Sequence, residues 1–493
     1  MTNEALILLP VLFPIVLACL IPLMHFKTRK SREIYVGAVV VINTLITYWL
    51  LFNGPTEAFT IVKMKNDLSL ALRIDGMSMV FAGLVAGLWP FATCFAFEYM
   101  KHEKRENYFF TFYTATYGIT LGIAFSSNAM TLYLFYELLT LITLPLVMHS
   151  MNEKSIKAGM TYIIYSIAGA AFAFIGLIFI MVYGTTTDFV LGGVLDPSKI
   201  AGKTDLLLLM YVFAFFGFGV KAAIFPFHGW LPKASVAPTP VTALLHAVAV
   251  VKAGVFAIMR MTYYSFGTEL IRGTWAQYLV MTFAIITILF GSSMAVREQH
   301  IKRRLAYSTV SNLSYIIFGV TLMTPSGLVG GLTHMVFHGV MKIALFFCVG
   351  AIMYKTHKEY VYEIEGFGKK MPIVFSIFTM VGIALVGVPP LTGFISKWNL
   401  AFAAVETQEV LPMIGVFILL VSALLTAIYL LSITVKAFFP KKDFDMKSIS
   451  SHVEDPNWYM IMPLCVFTIA VIVLGVHSAP LVELFTKIAN GLV

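Results

Sequence analysis

The chain has 493 residues and a formal net charge of +9, yet only 12% of its residues are charged while 59% are apolar. Soluble domains carry about 25% charged residues, so a protein that faces water over most of its surface is excluded. The positive balance then reads as a bias among membrane loops and not as a nucleic-acid signal. Four scattered cysteines, Cys19, Cys94, Cys348 and Cys465, form no C-x-x-C pair, which points away from a disulfide framework and from a zinc or iron–sulfur site.

The run EALILLPVLFPIVLACLIPLMHF at 4–26 reaches the roughly 20 residues that cross a bilayer. Similar runs recur to the end of the chain, so the first is a span and not a cleaved signal. Fourteen apolar segments lie near 4–25, 34–53, 76–98, 108–127, 128–150, 158–183, 206–226, 238–260, 274–296, 304–323, 327–354, 372–395, 410–438 and 456–477. The longest interruptions, 184–205 and 440–455, read as loops. Backbone in hydrocarbon must satisfy its own hydrogen bonds, and these lengths fit helices. The expected fold is all-α and polytopic: about fourteen transmembrane helices in a single transmembrane domain over 1–493.

Loops after odd-numbered segments carry 22 Lys and Arg residues, including KTRKSR (27–32) and IKRR (301–304), whereas loops after even-numbered segments carry seven. The positive-inside rule therefore places the odd loops in the cytoplasm and both termini outside a cell (inner) membrane. Four lysines, Lys221, Lys252, Lys342 and Lys397, fall within or beside the spans instead, and among the acids Glu137 alone lies deep in one. A charge at that depth is costly and is by default a functional candidate. The bland alternative is snorkelling to the headgroups. It is open to Lys221, which sits roughly 22 Å along its helix, and least available to Lys252 and Lys342 near mid-span.

Two segments read as broken. FFGFGVKAAIFPF (215–227) surrounds Lys221 with Gly217, Gly219 and Pro226, and VGIALVGVPPLTGFISKW (381–398) places Gly387, Pro389, Pro390 and Gly393 before Lys397. Proline removes a helix hydrogen bond. Unpaired backbone at membrane depth survives only inside protein or beside a wet cavity, and a matched pair of interrupted segments points to inverted repeats around a midplane ion path. Kinks that merely aid packing are the alternative. Histidines complete the polar set. His334, His338 and Lys342 follow at i, i+4, i+8, on one helix face. His246 lies six residues before Lys252, about 600° around a helix, so the two do not share a face closely. His228 ends the first broken segment. Each histidine taken alone reads as a hydrogen-bonded packing residue, and i, i+4 spacing also suits a haem, but as a set they suit proton transfer.

The run HGWLPKASVAPTPVTALLHAVAVVKAGVFAIMR (228–260) resembles the core signature of the antiporter-like proton-translocating subunits of respiratory complex I, Mrp cation/proton antiporters and energy-converting membrane-bound hydrogenases. The resemblance implies two inverted five-helix repeats, at 108–260 and 274–438, each with one broken helix. It implies a proton-transfer axis in which Glu137 pairs with Lys221, Lys252 is the central lysine, His338 and Lys342 form the connecting relay, and Lys397 ends the row. His228, His246 and His334 are secondary members. Lys233 stands where the family often has an acid, and Ser235 where it often has a histidine. The lysine at 397 and the absence of a long lateral helix bring the chain nearest to the Mrp D-type subunit.

The expected function is proton translocation as one subunit of a multisubunit membrane complex, with H⁺ as the ion and Na⁺ left open. No cofactor, metal or nucleic acid is expected, nor redox chemistry in this chain. A subunit of a complex I-like NADH dehydrogenase or a hydrogenase is the alternative, with a stand-alone secondary transporter or a purely structural subunit behind it.

Overall fold

A computed structural model of the chain describes residues 3–64, 68–446, 449 and 453–492; positions 447, 448 and 450–452 of the 440–455 loop lie outside the described residues. A 3₁₀ turn leads into α1 (Leu9–Leu20), followed by α2 (Arg29–Asn53), strands β1 (Phe59–Lys63) and β2 (Ser69–Leu72), α3 (Gly76–Tyr99), α4 (Glu106–Ala124), α5 (Ala129–Val147), α6 (Glu153–Tyr183) and the single turn α7 (Pro197–Ile200). The middle of the chain contains α8 (Thr204–Lys221), the short α9 (Trp230–Ala234), α10 (Thr239–Ala247), α11 (Val250–Met259), α12 (Thr268–Ile271), α13 (Trp275–Arg297), α14 (Ile301–Thr321) and α15 (Pro325–Thr356). It ends with α16 (Pro372–Val386), α17 (Thr392–Glu406), α18 (Val410–Phe438), α19 (Trp458–Val476) and α20 (Ala479–Ala489).

Short polar side chains decide where the spans begin. Thr28, Asp75, Asn128, Asn152 and Thr324 each accept the backbone N–H three residues ahead, at 2.8–3.1 Å. Such caps satisfy one of the orphan donors of a helix N-terminus and contribute about 1 kcal/mol each. Ten helical stretches among the described residues are long and apolar enough to cross a membrane, and Glu4–Leu20 and Pro372–Val386 are shorter apolar helices. Two expected segments are helical but less apolar: α4 is rich in tyrosine and threonine, and α14 opens with Lys302, Arg303 and Arg304.

Among the described residues the one strand pair is the antiparallel β1–β2 hairpin, which pairs Phe59 with Leu72 and Lys63 with Ser69 around a register shift at Thr60/Val62. It lies between α2 and α3, where the sequence alternates too briefly to announce a strand pair. Leu72 bridges onward to Ser126, so the hairpin is tied to the turn that precedes α5.

Two elements form the centre. Every residue in the most apolar window of Thr239–Phe266 is buried, as is 94% of that window in Pro325–Thr356, so their polar side chains are enclosed by protein and not by lipid. α15 packs on α3, α10, α14, α16, α17, α19 and α20. The 239–266 stretch is not one helix. It is interrupted at Val248–Ala249, where Ala249 has φ −88° and ψ −84°, and it ends in a π-helical stretch, Arg260–Phe266.

Arg260 is fully buried and forms two bonds to Asp75, from Nη1 to Oδ2 at 2.8 Å and from Nη2 to Oδ1 at 2.6 Å. Asp75 caps α3, so this pair fastens the end of the central helix to the start of another span. Burial pushes the Asp75 carboxyl up, but the Arg260 guanidinium beside it outweighs that and holds it at about 2. A carboxyl depressed from 3.8 stabilises the fold fully above that value and loses its contribution as pH falls towards about 2. Replacing one partner strands the other charge, at about 3–5 kcal/mol. Asp75→Asn is therefore expected to lower the thermal stability of the purified complex sharply at neutral pH and much less near pH 2; equal melting temperatures for variant and parent at pH 7 would contradict this.

Candidate functional site: a buried row of lysines and histidines

The first cluster sits where α8 stops. Lys221 is the last residue of that helix and is 1% exposed. A cation in the last turn is favoured by the partial negative charge of the helix C-terminus. Its ammonium donates to the Tyr136 carbonyl on α5, lies 3.3 Å from the centre of the Tyr136 ring, and is 3.6 Å from Glu137 Oε1. Glu137 is only half enclosed by this chain. Its Oε1 towards Lys221 is buried, while the side chain as a whole keeps 27% of its exposure at the bundle perimeter, one turn from the exposed Leu141. Beyond Lys221 the backbone leaves the helix for a turn, a 3₁₀ piece at Phe227–Gly229 and α9, so the break expected from the glycines and Pro226 is present.

The central cluster joins two helices. Lys252 on α11 and His338 on α15 are both wholly buried, with Nζ 2.8 Å from Nδ1. One proton between these nitrogens is held either by the amine or by the ring. His338 Nε2 has no hydrogen-bond partner among the described residues. His334 stacks on His338 with ring centroids 5.6 Å apart and bonds Ser396 Oγ on α17 through Nδ1 at 2.9 Å. One turn beyond His338, Lys342 donates to Ser308 Oγ at 2.6 Å and to the Leu305 carbonyl at 3.2 Å, and Ser308 bonds the Tyr429 hydroxyl of α18.

The last lysine closes a second break. α16 ends at Gly387, whose φ of +102° is left-handed backbone that favours glycine. The two carbonyls freed there, Leu385 and Val386, accept from Lys397 Nζ at 2.7 and 2.8 Å. The lysine of α17 thus caps the C-terminus of the half-helix before it.

Of the expected residues, Glu137 meets Lys221, Lys252 meets His338, His334 stacks on His338, and Lys342 stands one turn along the same helix. His246 is wholly buried, with neither ring nitrogen partnered among the described residues and Phe346 against its ring. The 600° spacing does not apply to it, because the Val248–Ala249 interruption separates it from Lys252. His228 lies against Phe225 and Phe290 and is joined to the row by no hydrogen bond among the described residues. Tyr136, Ser308, Ser396 and Tyr429 are neutral, so a search for charge in apolar sequence passes over them. Arg260 counts with the loops in such a search because it stands at the end of its apolar run. Among the described residues no group of His, Cys, Asp and Glu could hold a metal ion.

These features define a polytopic helical membrane protein with a row of ionisable groups through its core. Residues 126–428 match the NADH:quinone oxidoreductase/Mrp antiporter transmembrane family, and residues 62–110 match the N-terminal family of complex I chain 5. The chain belongs to the NADH:quinone oxidoreductase/Mrp antiporter family. It is 27% identical to the A-type subunit of a Na(+)/H(+) antiporter of Alkalihalophilus pseudofirmus across 93% of its own length, but spans only 60% of that relative. Its fold is similar to a chain of the membrane-bound sulfane sulfur reductase, an archaeal respiratory membrane complex (TM-score 0.84, 23% identity, 98% and 97% of the two chains). It is equally similar to a chain of the Mrp complex from Dietzia sp. DQ12-45-1b (TM-score 0.84, 20% identity, 100% and 98%).

The approach of α11 to the α8 break depends on Gly254, where a Cβ would fall 2.6 Å from Ala222 N and 2.9 Å from the Lys221 carbonyl carbon. Both are main-chain atoms and cannot rotate away. Overpacking of this kind costs about 1–3 kcal/mol, so Gly254→Ala is expected to lower both the melting temperature of the complex and its transport rate. A variant that matches the parent in both would mean that the helices are not locked at this point.

Proposed function

We propose that the chain is a proton-translocating subunit of a multisubunit membrane complex, most closely of the D type in an Mrp Na⁺/H⁺ antiporter. Protons move along Glu137, Lys221, Lys252, His338, Lys342 and Lys397, with His228, His246 and His334 as secondary groups and water between them. The observation that carries this reading is the centre of the row: Lys252 bonded to His338, with His334 and Lys342 a turn to either side, on the two most enclosed helical stretches, where packing alone would select apolar residues.

The chemistry follows from the pairs. A charged group at Glu137 holds Lys221 as the ammonium, and withdrawing that influence lets the proton leave, because low-dielectric surroundings favour the neutral amine. At the centre, a proton on Lys252 Nζ passes to His338 Nδ1, and the ring releases its other proton from Nε2 towards His334. Imidazole suits this step because its two nitrogens accept and donate in turn. Glu137 at the perimeter is where a partner membrane subunit would act on the row, through redox chemistry elsewhere or through the gradient of a second ion.

The architecture proposed with this function has fourteen transmembrane segments in two inverted repeats, 108–260 and 274–438. Each break, at Lys221 and before Lys397, lies in the fourth segment of its five, which supports the repeat. Both termini lie outside the cell membrane, as the loop charges suggest. The second reading, a proton-pumping subunit of a complex I-like dehydrogenase or hydrogenase, is supported by the likeness to the archaeal respiratory complex.

Glu137→Ala in the intact host complex is expected to abolish ΔpH formation in everted vesicles with assembly on a native gel unchanged, and Lys252→Ala likewise. The driver that works in the parent membranes, NaCl or NADH, separates the antiporter from the dehydrogenase. Retained pumping in Glu137→Ala would reduce Glu137 to a packing residue and remove the first member of the row.

A further inference from the structure

A groove of about 280 Å³ opens between the start of α15, the second half of α17 and α20. Its wall includes Ser326 and Val329 from α15, Asn399 and Phe402 from α17, and Thr486 from α20 with Asn490 just past its end. A site needs roughly 10–15 Å³ and two to four polar partners to hold a water, so this groove has the room and, in Ser326, Asn399, Thr486 and Asn490, the partners to hold water along its polar side. It lies on the face opposite the basic Ile301–Arg304 cluster, because α14 runs from that cluster to Thr321, next to the start of α15.

The groove continues inwards as two facing polar stripes. Thr392, Ser396 and Asn399 stand at i, i+4 and i+7 on α17, and Asn399 Nδ2 lies 3.5 Å from Thr333 Oγ1 on α15. Ser396, wholly buried, bonds His334. The stripes meet because the helices are close: a Cβ on Gly330 would fall 2.9 Å from Leu400 Cδ2 and 3.2 Å from Leu400 N. Two buried atoms along this line, Thr392 Oγ1 and His334 Nε2, have no hydrogen-bond partner among the described residues. Val329, in the groove wall, is five residues from His334, about 7.5 Å along α15.

We propose that this groove is the aqueous mouth of the proton row on the outer face, and that Asn399 is the positioning residue that joins groove water to the Ser396–His334 pair. The proposal rests on the proton-translocation reading above. Protons pass between bulk water and His334 through the Asn399–Ser396 stripe, and Thr486 on α20 forms the outer wall with Asn490 just beyond that helix.

Three variants in the intact complex test it by ΔpH formation in everted vesicles. Asn399→Leu should lose pumping, and Asn399→Gln should recover it, which a purely structural role would not produce. Thr486→Cys should lose pumping after a bulky, membrane-impermeant thiol reagent is added to cells before the membranes are everted, and keep it when the same reagent meets only the cytoplasmic face. The parent chain with its four native cysteines, treated in the same way, sets the baseline. If Asn399→Leu fails to assemble, the before-and-after comparison in Thr486→Cys decides. Lys252→Ala separates the two levels of the argument. If it abolishes pumping while labelled Thr486→Cys and Asn399→Leu pump as the parent does, the groove is overturned and the row stands. Normal pumping by Lys252→Ala overturns both.

Discussion

An ammonium in a low-dielectric interior is stable only where oxygen or nitrogen atoms are fixed around it, and much of this structure follows from meeting that demand four times. A charged group taken from water to the interior costs several kcal/mol even after relaxation. Lys221 is met by a carbonyl, a ring face and a carboxylate, Lys252 by an imidazole, Lys342 by a hydroxyl and a carbonyl, and Lys397 by two carbonyls. Among the described residues none of the four has a carboxylate within hydrogen-bond distance, and Glu137 is the one acid that forms an ion pair with any of them. In the proton-transfer role proposed above, such partners would keep the group buried and still let a proton go, a balance that a tight ion pair such as Asp75–Arg260 does not offer.

The two kinds of buried charge therefore divide the molecule. Asp75–Arg260 is bidentate and sits at the end of the central helix, where it fixes one span against another. The lysines of the row lie inside the bundle with mostly neutral partners. The anchor at the end of the central helix and the row within the bundle use different chemistry, guanidinium with carboxylate in one case and amine with imidazole, hydroxyl or carbonyl in the other.

Much of the row can be read from the sequence because charge is conspicuous in apolar surroundings. Lys252, Lys342 and the two histidines at i, i+4 stand out at once, and the glycines and prolines around 217–226 and 387–393 announce the breaks. What stays hidden is neutral or conformational. Ser308, Ser396 and Tyr429 look like any hydroxyl residue in a span until a helix from elsewhere brings a lysine or histidine to them. The interruption at Val248–Ala249 has no glycine or proline within it, and the β1–β2 hairpin occupies a loop whose pattern is too short to declare a strand. Glu137 is central by its position along α5, but depth along a helix says nothing about which way the side chain points around it.

The cap on α16 has a consequence for how this chain tolerates change. Lys397 is held by the carbonyls of Leu385 and Val386, atoms that every amino acid supplies. Exchanging those side chains leaves the acceptors in place, so the site is insensitive to the identity of the residues that form it. It is sensitive instead to chain length. One residue added to or removed from the 387–391 link would turn α17 by about 100° and carry the lysine away from both oxygens. Constraint at this point falls on spacing more than on composition, and a comparison of residue types alone would overlook it.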